Sequence, residues 1–298
     1  MGRGPLVWFS LRRSVGNGTL HKMVDLLLAA PAAPPRWDSL ESGGLHCHFR
    51  SDIGVAVAEA YGSHAWVYDA LREQPDAVLF RGRRPVVGGW LGSTPVVVKR
   101  MFHGGLFAKI IGDRFITPSR VRAHSPLSEY LARHGVATAP VVFTSWRRVH
   151  GLVRCEVGFE LIPDCIDGDR YFFGAAKPPL GWERRAADLG ALVARLHSIG
   201  FVHGDLNLMN VLFRSDGTIY LLDLDKSAAS PAAASTRRCR RNLDRLERSI
   251  RKQGREHLPA LVEWIVQKVR ISYERALLAA HAVFLPELLA LAREMPLG

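Results

Sequence analysis

Hydrophobic and polar positions follow one period in the first half of the chain and another in the second. Between residues 46 and 162, short apolar runs alternate with turn residues, a pattern typical of β-strands. The strands predicted from these runs are 76–84, 94–102, 139–148 and 152–162. We interpret "GGWLGS" at 88–93 as a turn between two of them.

Helical spacing dominates later. Residues 125–135 predict a helix with Ser125 as N-cap, Pro126 at its first helical position and Gly135 at its end. A stronger helix is predicted for 182–200, where one stripe is apolar or small: Ala186, Leu189, Val193, Leu196 and Gly200. Short strands are expected around 201–204, 211–213 and 219–225, a small-residue loop at 227–236, and helices from 237 onward.

The order of strands before helices predicts an α+β protein with two lobes. We expect a leader and extension over 1–75, irregular up to residue 45. A β-rich N-terminal lobe follows over 76–167, and an α-helical C-terminal lobe over 168–298, with 168–181 as a loop at their boundary. A cleft between two such lobes is a natural site for a small ligand.

Charge adds a preference for anionic partners. The 298 residues carry 40 Lys and Arg against 28 Asp and Glu, a net charge of +12. Such an excess favours nucleic acid, phosphorylated substrates or an anionic membrane face, although a solvated basic surface accounts for it equally. No nucleic-acid recognition motif is present, so we expect no nucleic-acid partner. The segment 237–255 concentrates nine Arg or Lys against two acids, and is either an anion-binding helix or a packing face.

Cysteine usage and hydropathy indicate an intracellular protein that does not cross a membrane. The four cysteines (Cys47, Cys155, Cys165 and Cys239) form no C-x-x-C pair, and we expect reduced thiols. The apolar run in "MVDLLLAAPAAPP" (23–35) is too short to span a bilayer, although it imitates part of a signal peptide.

One stretch, "HSIGFVHGDLNLMNVLF" (197–213), places strongly polar residues inside apolar runs. It contains Asp205 and Asn210, and Asp223 follows thirteen residues after Asn210. Phosphoryl transfer from ATP needs a carboxylate that orients the acceptor hydroxyl and accepts its proton, together with oxygen ligands for Mg²⁺. Asp205 suits the first role, and Asn210 with Asp223 suits the second. A hairpin of 211–213 with 219–222 should bring the metal ligands together.

This H-x-D-x-x-x-x-N motif with its later Asp resembles the catalytic loop and metal-binding Asp of the protein-kinase-like fold. The resemblance implies that Lys99, in "PVVVKR", contacts the ATP phosphates and is held by Glu129 on the helix 125–135. It also implies that the His203 side chain braces the loop. Asp225 is either a second acid near the metal or a turn residue, and His197 is expected to pack or cap at its helix end.

Departures from protein kinases are equally informative. No G-x-G-x-x-G precedes Lys99, the nearest candidate being the poorly fitting 81–90, and Asp223-Leu224-Asp225 replaces D-F-G. No A-P-E follows within an activation segment of ordinary length. A protein substrate is therefore not expected, and the pattern favours a small-molecule kinase.

Three segments resemble bacterial lipopolysaccharide core kinases, especially kinases of 3-deoxy-D-manno-octulosonic acid (Kdo). They are "VVVKRMFHGGLFAKIIGDRF" (96–115), "HGDLNLMNVLF" with "YLLDLDKS" (203–227), and "RRNLDRLERSIRK" (240–252). The resemblance implies an ATP- and Mg²⁺-dependent kinase for Kdo or another inner-core sugar on a lipid A precursor. The enzyme would be peripheral at the cytoplasmic face of the inner membrane. Asn207 would contact the acceptor or the γ-phosphate, or else cap a turn.

Two other functions stay open at this point. One is a related kinase for another hydroxylated metabolite or an antibiotic, against which the basic helix and the Gly-Gly after Lys99 argue. The other is a catalytically silent kinase-like module that binds partners. The intact set of Lys99, Asp205, Asn210 and Asp223 argues against such a module.

Overall fold

The computed structural model describes residues 35–80, 86–102, 112–175 and 178–294, with side chains described as far as residue 280. These residues form two compact units. The first contains the described residues up to Ser125 together with Ala139–Cys165, and the second contains Pro126–Thr138 and the described residues from Ile166 onward. An antiparallel sheet dominates the first unit and helices dominate the second, which confirms the α+β class.

The first unit is built on a seven-stranded antiparallel sheet in the order β1-β2-β6-β7-β5-β4-β3. Its strands are β1 (Trp37–Ser42), β2 (Leu45–Arg50), β3 (Val78–Phe80), β4 (Val86–Leu91), β5 (Thr94–Arg100), β6 (Val141–Val149) and β7 (Leu152–Glu160). Alternation sets the buried face, since Leu45, Cys47 and Phe49 of β2 are buried while the residues between them are partly exposed. On β5, Lys99 stands between Val86 of β4 and Val157 of β7.

Short helices cover this sheet: a 3₁₀ turn (Ser51–Ile53), α1 (Gly54–Ser63), α2 (Val67–Arg72) and α3 (Ser119–Arg122). A fully buried carboxylate, Glu156 of β7, ties α1 and α2 to the sheet. It accepts hydrogen bonds from the Tyr61 hydroxyl at 2.7 Å and from the Val67 and Tyr68 backbone N–H groups at 2.9 and 3.1 Å. Burial raises the pKa of Glu156, although these donors oppose the shift.

The second unit is mostly helical. Its elements are α4 (His124–Arg133, whose first two residues belong to the first unit), β8 (Cys165–Asp167, whose first residue belongs to the first unit), α5 (Gly168–Phe173), α6 (Trp182–Ser198), β9 (Phe201–Val202), a 3₁₀ turn (Leu208–Asn210), β10 (Val211–Arg214), β11 (Ile219–Leu221), β12 (Ala228–Ala229), further 3₁₀ turns (Pro231–Ala234 and Gly254–Glu256), α7 (Thr236–Gln253) and α8 (Pro259–Glu294). Strands β11, β10 and β8 form one small sheet, and β12 pairs with β9.

Helix α6 forms the centre of the second core, as its periodicity predicts. Ala186, Leu189, Val193 and Leu196 are all fully buried. Gly190 lies on the same helix where α8 passes, and a Cβ added there would lie 2.2 Å from the Val269 carbonyl oxygen. Only glycine permits this close approach of two helices.

The structure corrects several predictions about the first unit. Residues 88–91 continue β4 instead of forming a turn, because Gly88 and Gly89 leave room for the Phe80 ring and the Gln74 side chain. Residues 37–42 are strand β1 instead of an irregular leader, and α1 and α2 interrupt a region in which we predicted only strands and turns. Among the described strands, β1 pairs with β2 alone, and its exposed and half-buried residues show no clear apolar alternation.

Two predictions fail where the chain enters the second unit. Ser125 lies inside α4 and is buried, so it is not the N-cap, although Gly135 does end the helix with a φ of +64°. The predicted loop 168–181 begins with helix α5, because the Asp167 side chain accepts a hydrogen bond from Arg170 N at 2.9 Å and caps it. The first half of the poor glycine-loop candidate (81–85), the Gly-Gly after Lys99 and the segment 23–34 lie outside the described residues.

The described structure places all four thiols in the interior of the protein. All four cysteines (Cys47, Cys155, Cys165 and Cys239) are buried, and none of them is paired with another. Burial raises the pKa of Cys155 to about 12, so this thiol is not reactive at neutral pH. No helix within the described ranges is both long and apolar enough to cross a bilayer.

Asp167 makes stability depend on pH. Burial raises the pKa of its carboxyl from 3.8 to about 6, against the helix-cap hydrogen bond, and no group among the described residues forms a hydrogen bond with Oδ2. The folded state therefore binds the proton more tightly, so the stabilisation is present below pH 4 and is lost as pH rises through 6. We expect Asp167→Asn, which keeps the cap acceptor, to remove at most about 3 kcal/mol of this dependence in denaturant titrations between pH 4 and 7. An unchanged pH dependence in the variant would contradict this assignment.

Candidate active site

The loop between β9 and β10 carries the polar residues of the H-x-D-x-x-x-x-N motif, and His203 holds its shape. The His203 side chain is 1% exposed. Its Nδ1 accepts from the Asp205 backbone N–H at 3.1 Å, and its Nε2 lies 2.8 Å from the Leu222 carbonyl oxygen. Because Nδ1 must be the acceptor, Nε2 carries the hydrogen, and the neutral ring bridges the loop to Leu222, the residue directly after β11. The predicted bracing role is confirmed.

Two side-chain amides converge on the backbone of Asp205. Asn207 Nδ2 and Asn210 Nδ2 each donate to the Asp205 carbonyl oxygen at 2.9 Å. Asn207 Oδ1 also accepts from Met209 N at 3.0 Å and so caps the 3₁₀ turn. The Asp205 carboxylate itself is 56% exposed. The loop therefore fixes the backbone of Asp205 while its carboxylate faces solvent.

The β10–β11 hairpin brings Asn210 next to the segment that carries Asp223. Val211 pairs with Leu221, and Leu222 N donates to the Asn210 carbonyl oxygen at 2.9 Å, which confirms the predicted hairpin. Asp223 has a φ of +57°, in the left-handed region that is uncommon outside glycine. Residues held in such regions concentrate at functional sites.

These residues offer oxygen ligands of the kind that Mg²⁺ prefers. The hydrogen bond from Asn210 Nδ2 leaves Oδ1 as the amide atom available to a cation. The Asp223 and Asp225 carboxylates follow the hairpin, with buried Leu224 between them and Asp225 N 3.4 Å from Asp223 Oδ1. The described side chains include no cluster of three His, Cys, Asp or Glu, so this set would be two carboxylates and an amide.

Helix α7 holds the loop from the other side through residues spaced three and four apart. Asn242 Nδ2 donates to the His203 carbonyl oxygen at 2.7 Å, and Ser249 Oγ accepts from Leu208 N at 3.1 Å. Between them, Arg245 Nη1 donates to Asp205 Oδ1 at 2.6 Å. The sequence analysis missed these contacts. The signal was the polar i, i+3, i+7 pattern in "NLDRLERS", on the face of the helix that also buries Leu246.

Comparison with known proteins identifies the family of this chain. The model of the lipopolysaccharide kinase (Kdo/WaaP) family matches residues 79–267. The chain belongs to this family. A 3-deoxy-D-manno-octulosonic acid kinase of Stenotrophomonas maltophilia (strain R551-3) is 29% identical over 239 residues, covering 73% of this chain and 92% of the relative.

Two further relatives of this Kdo/WaaP family member carry the same name. The protein of Xanthomonas oryzae pv. oryzae (strain PXO99A) is 28% identical over 240 residues, 73% of this chain and 92% of its own length. That of Photobacterium profundum is 28% identical over 209 residues, 63% of this chain and 85% of its own. Membership of a lipopolysaccharide kinase family implies the use of ATP.

The two remaining candidate residues, Lys99 and Glu129, lie in different units. Lys99 of β5 is partly buried, with Nζ 6.0 Å from the centre of the Phe159 ring. Glu129 is exposed on α4, in the part of that helix that belongs to the second unit. Their pairing stays a prediction from the family resemblance.

A buried network anchors α7 behind the loop. His197, at the end of α6, lies 2.9 Å from the Tyr273 hydroxyl through Nδ1 and 3.2 Å from Asn242 Oδ1 through Nε2. Burial lowers the pKa of His197, so the ring is neutral at pH 7. His197 therefore packs, as expected, and Asn242 joins α6, α7 and the loop.

We expect Asn242→Ala to loosen the loop. The change leaves the His203 carbonyl oxygen and a His197 ring nitrogen without their partner in a buried setting, at about 1–3 kcal/mol for each group. The free energy of unfolding should fall by about 2 kcal/mol or more, and amides of 203–210 should exchange faster with deuterium. Gln253→Ala is the control, because it removes no described hydrogen bond from the same helix. Equal exchange in the two variants would show that Asn242 does not hold the loop.

Proposed function

We propose that this protein is an ATP- and Mg²⁺-dependent kinase that phosphorylates a hydroxyl of Kdo, or of another inner-core sugar, on a lipid A precursor. Its two units would be the two lobes of a protein-kinase-like fold. The observation that carries the proposal is the hydrogen-bonded arrangement of Asp205, Asn210 and the Asp223 segment in a member of a lipopolysaccharide kinase family.

Asp205 is the residue we assign to the acceptor hydroxyl. Its backbone receives the two Asn amides and its carboxylate is exposed, so it can meet a hydroxyl without rearrangement of the loop. The hydroxyl oxygen forms a bond to the γ-phosphorus while the bond to the ADP oxygen breaks, and Asp205 takes the hydroxyl proton. Asn207 supports this step by holding the Asp205 carbonyl, and we propose that it also contacts the acceptor or the γ-phosphate.

Asn210 Oδ1, Asp223 and Asp225 are the residues that would hold Mg²⁺, on the chemistry of this donor set. The bound ion supplies positive charge that offsets the charge of the phosphates. Lys99 is the residue that we propose contacts the ATP phosphates, and Glu129 the one that holds Lys99. These two roles rest on the resemblance to kinase-like proteins.

The acceptor is inferred from two sources. The relatives that cover most of this chain are named kinases of 3-deoxy-D-manno-octulosonic acid. The site also lies against a strongly basic helix, which favours an anionic acceptor over a neutral metabolite.

We also propose that α7 binds the anionic cytoplasmic face of the inner membrane, which makes the enzyme a peripheral membrane protein. Five cations recur at spacings of three and four on this helix and are all exposed: Arg238, Arg241, Arg245, Arg248 and Lys252. Within the described part of the chain, no acid forms an ion pair with any of them except Arg245. Each cation near an anionic leaflet contributes about 1 kcal/mol.

The catalytic assignment is tested by Asp205→Asn. Loss of the carboxylate should lower kcat by about 10²-fold or more, because the variant cannot accept the proton. Mass spectrometry of Kdo-containing lipid A after incubation with Mg²⁺ and ATP measures the added phosphoryl group. Asp216→Asn is the matched control, since this exposed carboxylate lies in the β10–β11 turn and caps Thr218 N.

Retention of the thermal shift with Mg²⁺ and ATP would show that Asp205→Asn is folded and binds nucleotide. Full turnover by the folded variant would refute the role of Asp205. Turnover of other hydroxylated metabolites but not of Kdo-containing lipid A by the unchanged protein would point to a different kinase. Absence of both turnover and the nucleotide shift would indicate a silent binding module.

Membrane binding is tested with vesicles of phosphatidylethanolamine and phosphatidylglycerol. Replacing Arg238, Arg241, Arg248 and Lys252 together by Gln should weaken vesicle partitioning by about tenfold or more. The charge-matched control replaces four exposed arginines elsewhere by Gln: Arg72, Arg133, Arg148 and Arg184. Equal weakening in both variants would mean that net charge, not helix α7, drives the binding.

A further inference from the structure

Arg245 stands beside the proposed acceptor position. Its guanidinium contacts the Asp205 carboxylate through one hydrogen bond, from Nη1 to Oδ1 at 2.6 Å. The Arg245 and Asp205 side chains are 48% and 56% exposed, so both can be reached by a ligand. Among the described residues, Nε and Nη2 of Arg245 have no hydrogen-bond partner. A planar edge of the guanidinium is therefore available next to Asp205.

The backbone of Arg245 is held in place relative to the loop. Asn242 lies one turn before it and bonds the His203 carbonyl oxygen, and Ser249 lies one turn after it and bonds Leu208 N. Leu246, on the adjacent face of the helix, is fully buried in the core. The arginine is thus presented from a rigid element, which is what a recognition site requires.

The charges around Arg245 favour a second anion. The helix has two acids of its own, Asp244 and Glu247, and both contact Arg270 of α8 on another side. Arg241 and Arg248 are exposed one turn away on either side of Arg245. Asp205 is the acid that Arg245 contacts. Arg241, Arg245 and Arg248 therefore outnumber the acid that faces them, and the net charge at this part of the helix surface is positive.

We propose, on the basis of the proposed function, that Arg245 binds the carboxylate of the acceptor sugar and thereby selects an acidic acceptor. A guanidinium forms two parallel hydrogen bonds with a carboxylate, and the unused edge of Arg245 offers two donors. In a sugar acid, the carboxylate and the reacting hydroxyl belong to one small molecule. A hydroxyl at Asp205 therefore brings the carboxylate within reach of an arginine that lies one hydrogen bond from Asp205.

The same contact has a competing explanation, which is that Arg245 only orients the Asp205 carboxylate. The two roles differ in their dependence on the acceptor. An orienting residue affects every acceptor equally, whereas a carboxylate-binding residue affects only acceptors that carry the charge.

The experiment compares two acceptors in detergent micelles: Kdo-containing lipid A, and the same lipid with its Kdo carboxyl groups converted to primary amides. The unchanged protein should prefer the acid over the amide in kcat/KM by about tenfold or more, as expected for a charge-assisted hydrogen-bonded pair. Arg245→Gln should abolish this preference, and Arg245→Lys, which keeps the charge without the planar edge, should retain part of it.

Arg251→Gln is the matched control. Arg251 is on the same helix, is 44% exposed and pairs with Glu263 at 2.7 Å, away from Asp205. It should keep the preference for the acid. Two outcomes would overturn the role of Arg245 while leaving the proposed function intact. One is an equal loss of kcat/KM for both acceptors in Arg245→Gln, and the other is the absence of any preference in the unchanged protein. Failure of the unchanged protein to phosphorylate either lipid overturns the proposed function and this inference together.

Discussion

The side-chain amide of Asn242 is the contact on which the geometry of the candidate site depends. Its Nδ2 bonds the carbonyl oxygen of His203, and its Oδ1 faces the ring of His197 at the end of α6. A buried amide whose two ends are both used holds the elements it joins in one arrangement, since moving any of them leaves a polar group unsatisfied. Helix α7, the loop and the core helix α6 are therefore placed together.

The polar groups of the β9–β10 loop form hydrogen bonds with one another and with neighbouring backbone, whereas the charged carboxylate of Asp205 is exposed to solvent. His203 bonds both the Asp205 N–H and the Leu222 carbonyl oxygen, and the Asn207 and Asn210 amides bond the Asp205 carbonyl oxygen. The Asp205 carboxylate is the exposed exception, and the cation that meets it comes from α7. This division explains why polar residues can occupy an otherwise apolar stretch.

The basic helix combines two properties that composition alone does not separate. Its packed side carries apolar residues, the buried Glu247 and the two polar residues that hold the loop, buried Asn242 and half-buried Ser249. Its exposed side carries the row of cations. The sequence analysis left open whether this helix is a packing face or an anion-binding face. The structure shows the packing face, and the exposed cations remain available for the proposed anionic partners.

Local patterns determined much of what could be predicted. The stripe of α6, the β10–β11 hairpin and the strands β5, β6 and β7 follow from short-range periodicity, because each buries a continuous apolar face. Three elements were missed. The glycines of 88–91 suggested a turn where β4 continues, and the polar residues of 37–42 gave no sign of the edge strand β1. The helix at 168–173 was missed because it begins at a single Asp cap. The motif spacing also brought Asp205, Asn210 and Asp223 to attention as one set.

Tertiary structure alone decided which side chains of helix α7 contact the loop that carries Asp205 and Asn210. Asn242, Arg245 and Ser249 lie about forty residues beyond the loop, and no periodicity links a helix face to the loop it contacts. The contact exists because α7 packs its apolar side into the same core as α6, which turns the polar edge of the helix toward the loop. Sequence by itself thus determined the chemical groups of the candidate site, and long-range packing decided the partners of each group.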